Sequence, residues 1–334
     1  MTQKPLDVYG IGNPLMDLLV HIPASFLEKQ ELEANRMYLV HQERQQELIE
    51  ELQSGQHEVI SAPGGSAANT MSGLALIGSN VAYTGKLGQD EIGQLYEKLL
   101  ANEGVTTRFG FGEGSSGSSL ILVGEDGSRT MNTFLGMCQE LHPSDIDAEL
   151  MQQARYLYIE GYLWDTEIQQ DAVSQAIGLA KKHGTKVALS LSDPFCAQRH
   201  QEAFHRLVRE DVDLLFCNQE EAFALLNTEI SQEALEYLAA QVEIVAFTMG
   251  ARGALVCEQR EMFYIDPRRV NVVDTTGAGD AFAAGFLYGL THEKSIFESG
   301  VLATAMAAEV IQRMGPRLDK AIKGKMQSLF GSHN

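Results

Sequence analysis

From about residue 150 onward the chain alternates between short β-branched apolar runs and helix-patterned stretches. Strand-like runs fall at 156–159, 186–191, 212–217 and 244–248, and helix-like ones at 166–182, 200–209, 220–226 and 232–240. Parallel strands need crossovers long enough to hold a helix, so this alternation implies an α/β fold with a mostly parallel central sheet and helices on both faces. The first third fits the same scheme, with a strand at 7–12, a helix of small residues at 67–77, a strand at 81–84 and an amphipathic helix at 90–103. Ligands of such sheets gather beyond the carboxyl ends of the strands. Chemistry is therefore expected just after each strand.

Residues 105–137 break the pattern. They are rich in Gly, Ser and Thr, with alternation at 119–123 and an Asp126-Gly127 turn, which predicts hairpins of a small antiparallel sheet. The 45 acidic residues against 25 basic ones give a formal net charge of −20. That balance argues against nucleic acid or an anionic membrane as partner. A small anionic ligand stays open, because helix N-termini, a few cations or a metal can reverse the field locally. Cys138, Cys196, Cys217 and Cys257 are too scattered for a disulfide framework or a zinc site. With no long apolar run in Met1 to Tyr9 and none of membrane-spanning length elsewhere, a cytoplasmic location is expected.

The sharpest motif is Val272-Val273-Asp274-Thr275-Thr276-Gly277-Ala278-Gly279-Asp280-Ala281. A β-branched run stops in a glycine-rich turn and opens a helix of small residues at 281–290. The free N–H groups of Gly277, Ala278, Gly279 and Asp280 can converge on an anion there. A carboxylate at the same place suits accepting a hydroxyl proton while a phosphoryl group arrives. The bland alternative is a glycine turn capped by Asp280. The chain lacks the phosphate-loop string G-x-x-x-x-G-K-S/T and a strand-linked G-x-G-x-x-G, which removes the common nucleoside-triphosphatase and dehydrogenase readings.

At these residues the sequence resembles the ribokinase, or PfkB, family of carbohydrate and nucleoside kinases, along essentially the whole chain. Further matches are Pro63-Gly64-Gly65-Ser66-Ala67-Ala68-Asn69, Gly85-Lys86-Leu87-Gly88-Gln89-Asp90, Asn218-Gln219-Glu220-Glu221 and Thr248-Met249-Gly250-Ala251-Arg252-Gly253. Within the family Gly12-Asn13-Pro14-Leu15-Met16-Asp17, Leu191-Ser192-Asp193-Pro194-Phe195 and Ala307-Ala308-Glu309-Val310-Ile311 are most similar to the adenosine-kinase branch. The resemblance implies the ribokinase-like three-layer fold as a single domain over 1–334, with a small β-sheet lid built from about 14–41 and 106–137. It also implies MgATP as phosphoryl donor and a nucleoside or free sugar as acceptor. Relatives often bind a monovalent cation such as K⁺, and occur as monomers or homodimers. A non-catalytic nucleoside sensor on the same fold is the rival from another class.

Carried over residue by residue, the resemblance makes Asp280 the base, with Gly277, Ala278 and Gly279 forming the anion hole. Asp17 would accept from two ribose hydroxyls, with Asn13, Gly64, Gly65 and Asn69 around the sugar. Asp17 could equally cap a turn. Arg129 would reach over the phosphates from the lid, or remain a solvated hairpin arginine. Tyr162 and Phe195 are candidates for stacking on a base, or for core packing. Asn218, Thr248, Gly250, Gly253 and Thr275 would approach ATP, with the apolar stretch 303–311 beside the adenine. Glu221 would hold magnesium mainly through water, or be a plain solvated carboxylate. Asp274, Thr276 and carbonyls near 314–317 would hold the monovalent cation. Residues 35–39 stand where adenosine kinases supply base contacts.

Overall fold

The computed structural model describes residues 4–34, 36–125 and 127–330, so Asn35 and Asp126 of the segments above lie outside the described residues. Its large sheet has nine strands. In spatial order they are Glu261–Ile265, Ala254–Glu258, Ile244–Thr248, Leu214–Asn218, Lys186–Ser190, Ala154–Glu160, Leu6–Ile11, Val81–Thr84 and Thr106–Thr107. All pairings are parallel except those made by the hairpin Ala254–Glu258 and Glu261–Ile265 at one edge. Strand order reverses between Leu6–Ile11 and Ala154–Glu160, which makes the crevice beyond these two strands the topological switch point.

Helices cover both faces. One face buries Ala172, Val173, Phe204, Leu207, Leu235 and Leu238 against the sheet. The other buries Met71, Leu74, Ala284, Phe286, Ala303 and Met306. The helices Ser66–Ile77 and Ala278–Thr291 lie on this second face, and a Cβ at Gly73 would stand 3.0 Å from the Ala284 Cβ. That close approach brings the two helix starts together. Several helix starts are fixed by side-chain caps, which is why Thr166 lies outside helix Glu167–His183 and accepts from the Gln169 N–H.

A smaller sheet has five strands, ordered Met37–Leu39, Arg129–Phe134, Ser118–Val123, Met16–His21 and Ile60–Pro63. It differs from the expected antiparallel sheet in two ways. Ser118–Val123 runs antiparallel to Arg129–Phe134 but parallel to Met16–His21, and Met37–Leu39 joins in parallel, so the sheet is mixed. Residues 106–112 do not belong to it: Thr106–Thr107 edges the large sheet, and Gly110–Gly112 pairs with Lys86–Gly88. Only the 118–134 hairpin is local in sequence, and the other strands are recruited from segments whose pairing alternation alone does not specify. Helix Gln42–Ser54 contributes Leu48 and Leu52 to a separate apolar cluster with Val20, Leu120 and Leu122 of this sheet and Ile22 just beyond it. Among the described residues no helix is long and apolar enough to cross a membrane.

Candidate active site

The switch-point crevice is organised by a buried carboxylate that the sequence reading did not single out. Glu160 ends the strand Ala154–Glu160 and is 1% exposed. Its Oε1 accepts from the Asn13 N–H at 2.7 Å and its Oε2 from the Ala67 N–H at 2.8 Å. Burial pushes its carboxyl up to about 7, opposed by the two N–H groups and reinforced by the charge of Asp280. A side chain on Gly12 would stand 2.7 Å from Glu160 Oε2, so glycine is needed for this junction. The available signal was an acidic residue directly after the apolar run 156–159. Gln169, also missed, donates to Asn13 Oδ1 at 2.9 Å and fixes that side chain.

Gly64 and Gly65 lead into helix Ser66–Ile77. Gly65 has φ of 92°, and a Cβ there would collide with the Asn13 carbonyl, as one on Gly64 would with the Asp17 carboxylate. The structure therefore brings Asn13, Asp17, Gly64 and Gly65 into one place. Burial pushes the Asp17 carboxyl up to about 7, with Arg317 and Arg129 pulling it down and Asp280 adding to the rise. Arg317 was not foreseen as a side-chain contributor. Its guanidinium donates to the Pro63 carbonyl at 2.7 and 3.0 Å and to the Ala68 carbonyl at 3.2 Å, tying the C-terminal segment to the glycine turn.

Asp280 lies in the first turn of helix Ala278–Thr291. Ser66 Oγ donates to its Oδ1 at 2.6 Å and Asn69 Nδ2 to its Oδ2 at 2.8 Å. Asn69 thus holds the carboxylate, and its own Oδ1 is buried without a hydrogen-bond partner. Burial raises the Asp280 carboxyl above the ordinary carboxylate range, and Ser66, Asn69 and Arg317 act against the rise. Gly277 caps the helix with φ of 75°, and a Cβ there would stand 2.6 Å from the Pro316 Cβ. One anion-hole expectation is corrected: the Ala278 N–H turns back to the Thr275 carbonyl at 3.2 Å, because residues 275–278 close a turn. The amides of Gly277, Gly279 and Asp280 remain as donors at the helix start. A Cβ on Gly279 would meet nothing within 4 Å, so open space borders this helix start next to Asp280.

Arg129 is 9% exposed and does not stand out in solvent. It pairs with Asp274 at 2.9 Å and donates to Thr276 Oγ1 at 3.1 Å. Asp274 Oδ1 also accepts from the Thr276 N–H at 3.0 Å and from its hydroxyl at 2.7 Å, and Oδ2 from the Gly315 N–H at 2.7 Å. Three hydrogen bonds thus reach the two carboxylate oxygens, and the Arg129 guanidinium stands at ion-pair distance from Oδ2. The Asp274 and Thr276 side chains, expected to hold a monovalent cation, are thus engaged with each other and with the Arg129 guanidinium.

Asn218 and Glu221 form a reciprocal cap of helix Gln219–Leu226. Glu221 accepts from the Asn218 N–H at 3.0 Å and from its Nδ2 at 2.6 Å. It is 6% exposed, which excludes the solvated reading. Burial pushes its carboxyl up to about 7, and Asp193, Asp280 and Glu220 add to this. Among the described residues no group of three or more His, Cys, Asp or Glu side chains gathers to hold a metal, so magnesium would be met here through water and nucleotide phosphates, with Glu221 as its nearby carboxylate. Thr248 lies directly beside Asn218 at the ends of paired parallel strands. It leads into the tight turn Gly250–Arg252, where Gly250 and Gly253 have φ of 57° and 84°. Thr275 is exposed in the turn just before the helix start at Gly277.

The aromatic candidates fare differently. The Tyr162 ring packs on the core, and Phe195 is 77% exposed. The stretch 303–311 is largely core, with Ala303, Ala305, Met306 and Val310 buried in helix Ile296–Val310. Met37–Leu39, from the expected base-contact segment, is an edge strand of the small sheet, with Met37 and Leu39 exposed.

Comparison with known proteins gives one answer at family level. The model of the pfkB family carbohydrate kinases matches residues 33–322. The chain is similar to a probable sugar kinase of Rhizobium etli, at 37% identity and TM-score 0.88 over 98% of this chain and 99% of the other. It is similar to the adenosine kinase of Sinorhizobium meliloti, at 37% identity and TM-score 0.87 over 97% and 99%. The adenosine kinase of Schizophyllum commune is 29% identical over 93% of this chain and 96% of its own length. Together with a carboxylate set beside the amides of a glycine-rich helix start, these matches place the chain in the pfkB family of carbohydrate kinases, phosphotransferases that act on hydroxyl groups.

Proposed function

We propose that this kinase transfers the γ-phosphoryl group of MgATP to the 5′-hydroxyl of adenosine, giving AMP and ADP. The observation that carries the chemistry is Asp280, fixed by Ser66 and Asn69 against the open space at Gly279. Asp17, pressed against Gly64, accepts from the vicinal ribose hydroxyls. Asp280 takes the proton of the attacking hydroxyl as the new O–P bond forms and the bond to ADP breaks. Its raised pKa makes it a stronger base than an exposed carboxylate. The amides of Gly277, Gly279 and Asp280 stabilise charge on the transferring group. Magnesium bound with the nucleotide supplies further neutralisation of the phosphates, and Glu221 would hold it through water. The small sheet, which carries both Asp17 and Arg129, acts as the lid that excludes water.

Adenosine as the acceptor is supported by the adenosine kinases that match nearly the whole chain in sequence and in structure. One observation favours a free sugar instead: Tyr162 packs on the core and Phe195 is exposed, so neither expected aromatic forms a base-stacking wall. ADP release from MgATP is measured with adenosine, inosine, ribose and fructose as acceptors. The expected result is the highest kcat/KM with adenosine and AMP as product by mass spectrometry. A higher value with ribose or fructose replaces adenosine by the sugar.

A further inference from the structure

We propose that Arg129 is a built-in cation: its guanidinium does at Asp274 and Thr276 what a bound monovalent ion would otherwise do, so this kinase works without K⁺. The inference rests on the family-level kinase reading and on three structural facts. The Asp274 carboxylate accepts three hydrogen bonds and stands 2.9 Å from the Arg129 guanidinium as an ion pair. Thr276 Oγ1, which donates to Asp274, accepts from Arg129 at 3.1 Å. Both members of the ion pair are shielded, with side-chain exposures of 10% and 7%. Although burial alone would raise the Asp274 carboxyl, the Thr276 and Gly315 donors together with Arg129 hold it below its ordinary value.

The placement also decides when the charge is present. Asp274 and Thr276 begin the loop that ends in the Gly277 cap, so whatever neutralises Asp274 sets the shape of the anion hole. Arg129 belongs to the strand Arg129–Phe134 of the small sheet. A diffusible ion would occupy its site whether or not the small sheet is in place. A guanidinium delivered by that sheet ties neutralisation of Asp274 to docking of the sheet.

The first test reads binding rather than turnover. Melting curves of the apo chain are recorded in KCl and in tetramethylammonium chloride at equal ionic strength. Wild type is expected to melt at the same temperature in both, whereas Arg129→Met gains a K⁺-specific rise of about 2 °C or more. In turnover, read as ADP release with whichever acceptor is used best, wild type is expected to be indifferent to the choice of salt. Arg129→Met is expected to lose about a hundredfold and to recover part of this with K⁺ or methylguanidinium. A K⁺-specific rise in melting temperature or a K⁺ requirement in wild type overturns the proposal, and so does an Arg129→Met variant that responds to neither ion. If Arg129→Met does not fold, the wild-type salt comparison still decides. A failure of adenosine as acceptor leaves all these readouts intact.

Discussion

Replacing Asp280 by Asn tests the mechanism at its centre, because the structure separates its effects on chemistry and on folding. The carboxylate accepts from Ser66 Oγ at 2.6 Å and from Asn69 Nδ2 at 2.8 Å, one donor on each oxygen. An amide keeps one acceptor and turns the other into a donor. That new donor has a ready partner, since Asn69 Oδ1 is buried without one and an amide flip presents it. The variant also removes a buried charge that the site disfavours, as the raised pKa shows. The fold is therefore expected to survive, with a melting temperature at pH 7.5 no lower than that of wild type. Nucleotide binding is expected to be preserved, because the amides of the helix start are untouched.

Chemistry is expected to fail. Loss of a general base costs about 10²–10⁴ in rate, which corresponds to about 2.7–5.5 kcal/mol of transition-state stabilisation. Coupled measurement of ADP release gives kcat, and calorimetry with ATP gives binding separately. The wild-type kcat/KM profile carries a further signature. Its acidic limb lies above the ordinary carboxylate range because burial raises Asp280, and the limb is lost in the variant. An Asp280→Asn enzyme that folds, binds ATP and turns over within about tenfold of wild type refutes the assignment of Asp280 as base.

Two further outcomes follow from the same geometry. Gly279→Ala places a methyl group in the open space at the anion hole, where it meets no protein atom within 4 Å. Turnover is expected to fall by about tenfold or more through the lost approach of the phosphoryl group, while the melting temperature holds or rises, since Ala favours a helix over Gly by about 1 kcal/mol. Asp17 makes stability depend on pH in the direction opposite to a salt-bridged aspartate. Its carboxyl is raised from 3.8 to about 7, so between these values the unfolded chain has lost the proton and the folded one keeps it, and stability falls as pH rises through that window. Asp17→Asn is expected to remove this slope. It should melt several degrees above wild type at pH 7.5 and match it near pH 4, and a wild-type advantage at the higher pH contradicts the burial account.

What the sequence disclosed and what it hid divide along contact distance. Gly277 and Asp280 were legible because the glycine turn and the helix start are contiguous, so local rules of chain geometry suffice, although the β-branched Val272 and Val273 before them are exposed and form no strand. The large sheet was legible for the same reason, since each crossover is local. The edge hairpin Ala254–Glu258 and Glu261–Ile265 was not, because it departs from the alternation that made the rest readable. Glu160, Gln169, Ser66 and Arg317 act across the chain. Glu160 joins residues 93 and 147 positions away, and Ser66 meets Asp280 from 214 positions away. Nothing in a short window marks such partners. Arg129 shows the same limit. Its turn context left phosphates or solvent open, whereas the pairing of the small sheet carries it to Asp274. For Glu221 the adjacent Glu220 left a solvated carboxylate open beside the magnesium role, yet helix phase turns one outward and buries the other.

The charge pattern links these observations. A chain of net charge −20 has to hold a polyanion in a crevice that already contains Asp17, Glu160, Glu221 and Asp280. Asp17, Glu160 and Glu221 are each pushed up to about 7 by burial, and the charge of Asp280 adds to the rise in all three. Such a site repels a bare polyphosphate, so attraction has to come from groups that do not titrate or that arrive with the ligand. The amides at Gly277, Gly279 and Asp280 are of the first kind, and magnesium is of the second. Arg317 lowers the cost of keeping Asp17 and Asp280 ionised by standing near both. Arg129 neutralises Asp274, the acidic residue at the base of the anion hole. With Asp274 neutralised, the helix start presents net positive potential to the phosphates, and Asp280 remains the negative group poised for the acceptor proton. The acidic surplus is thus a property of the surface, and the selectivity of the crevice rests on which few carboxylates are left without a cation.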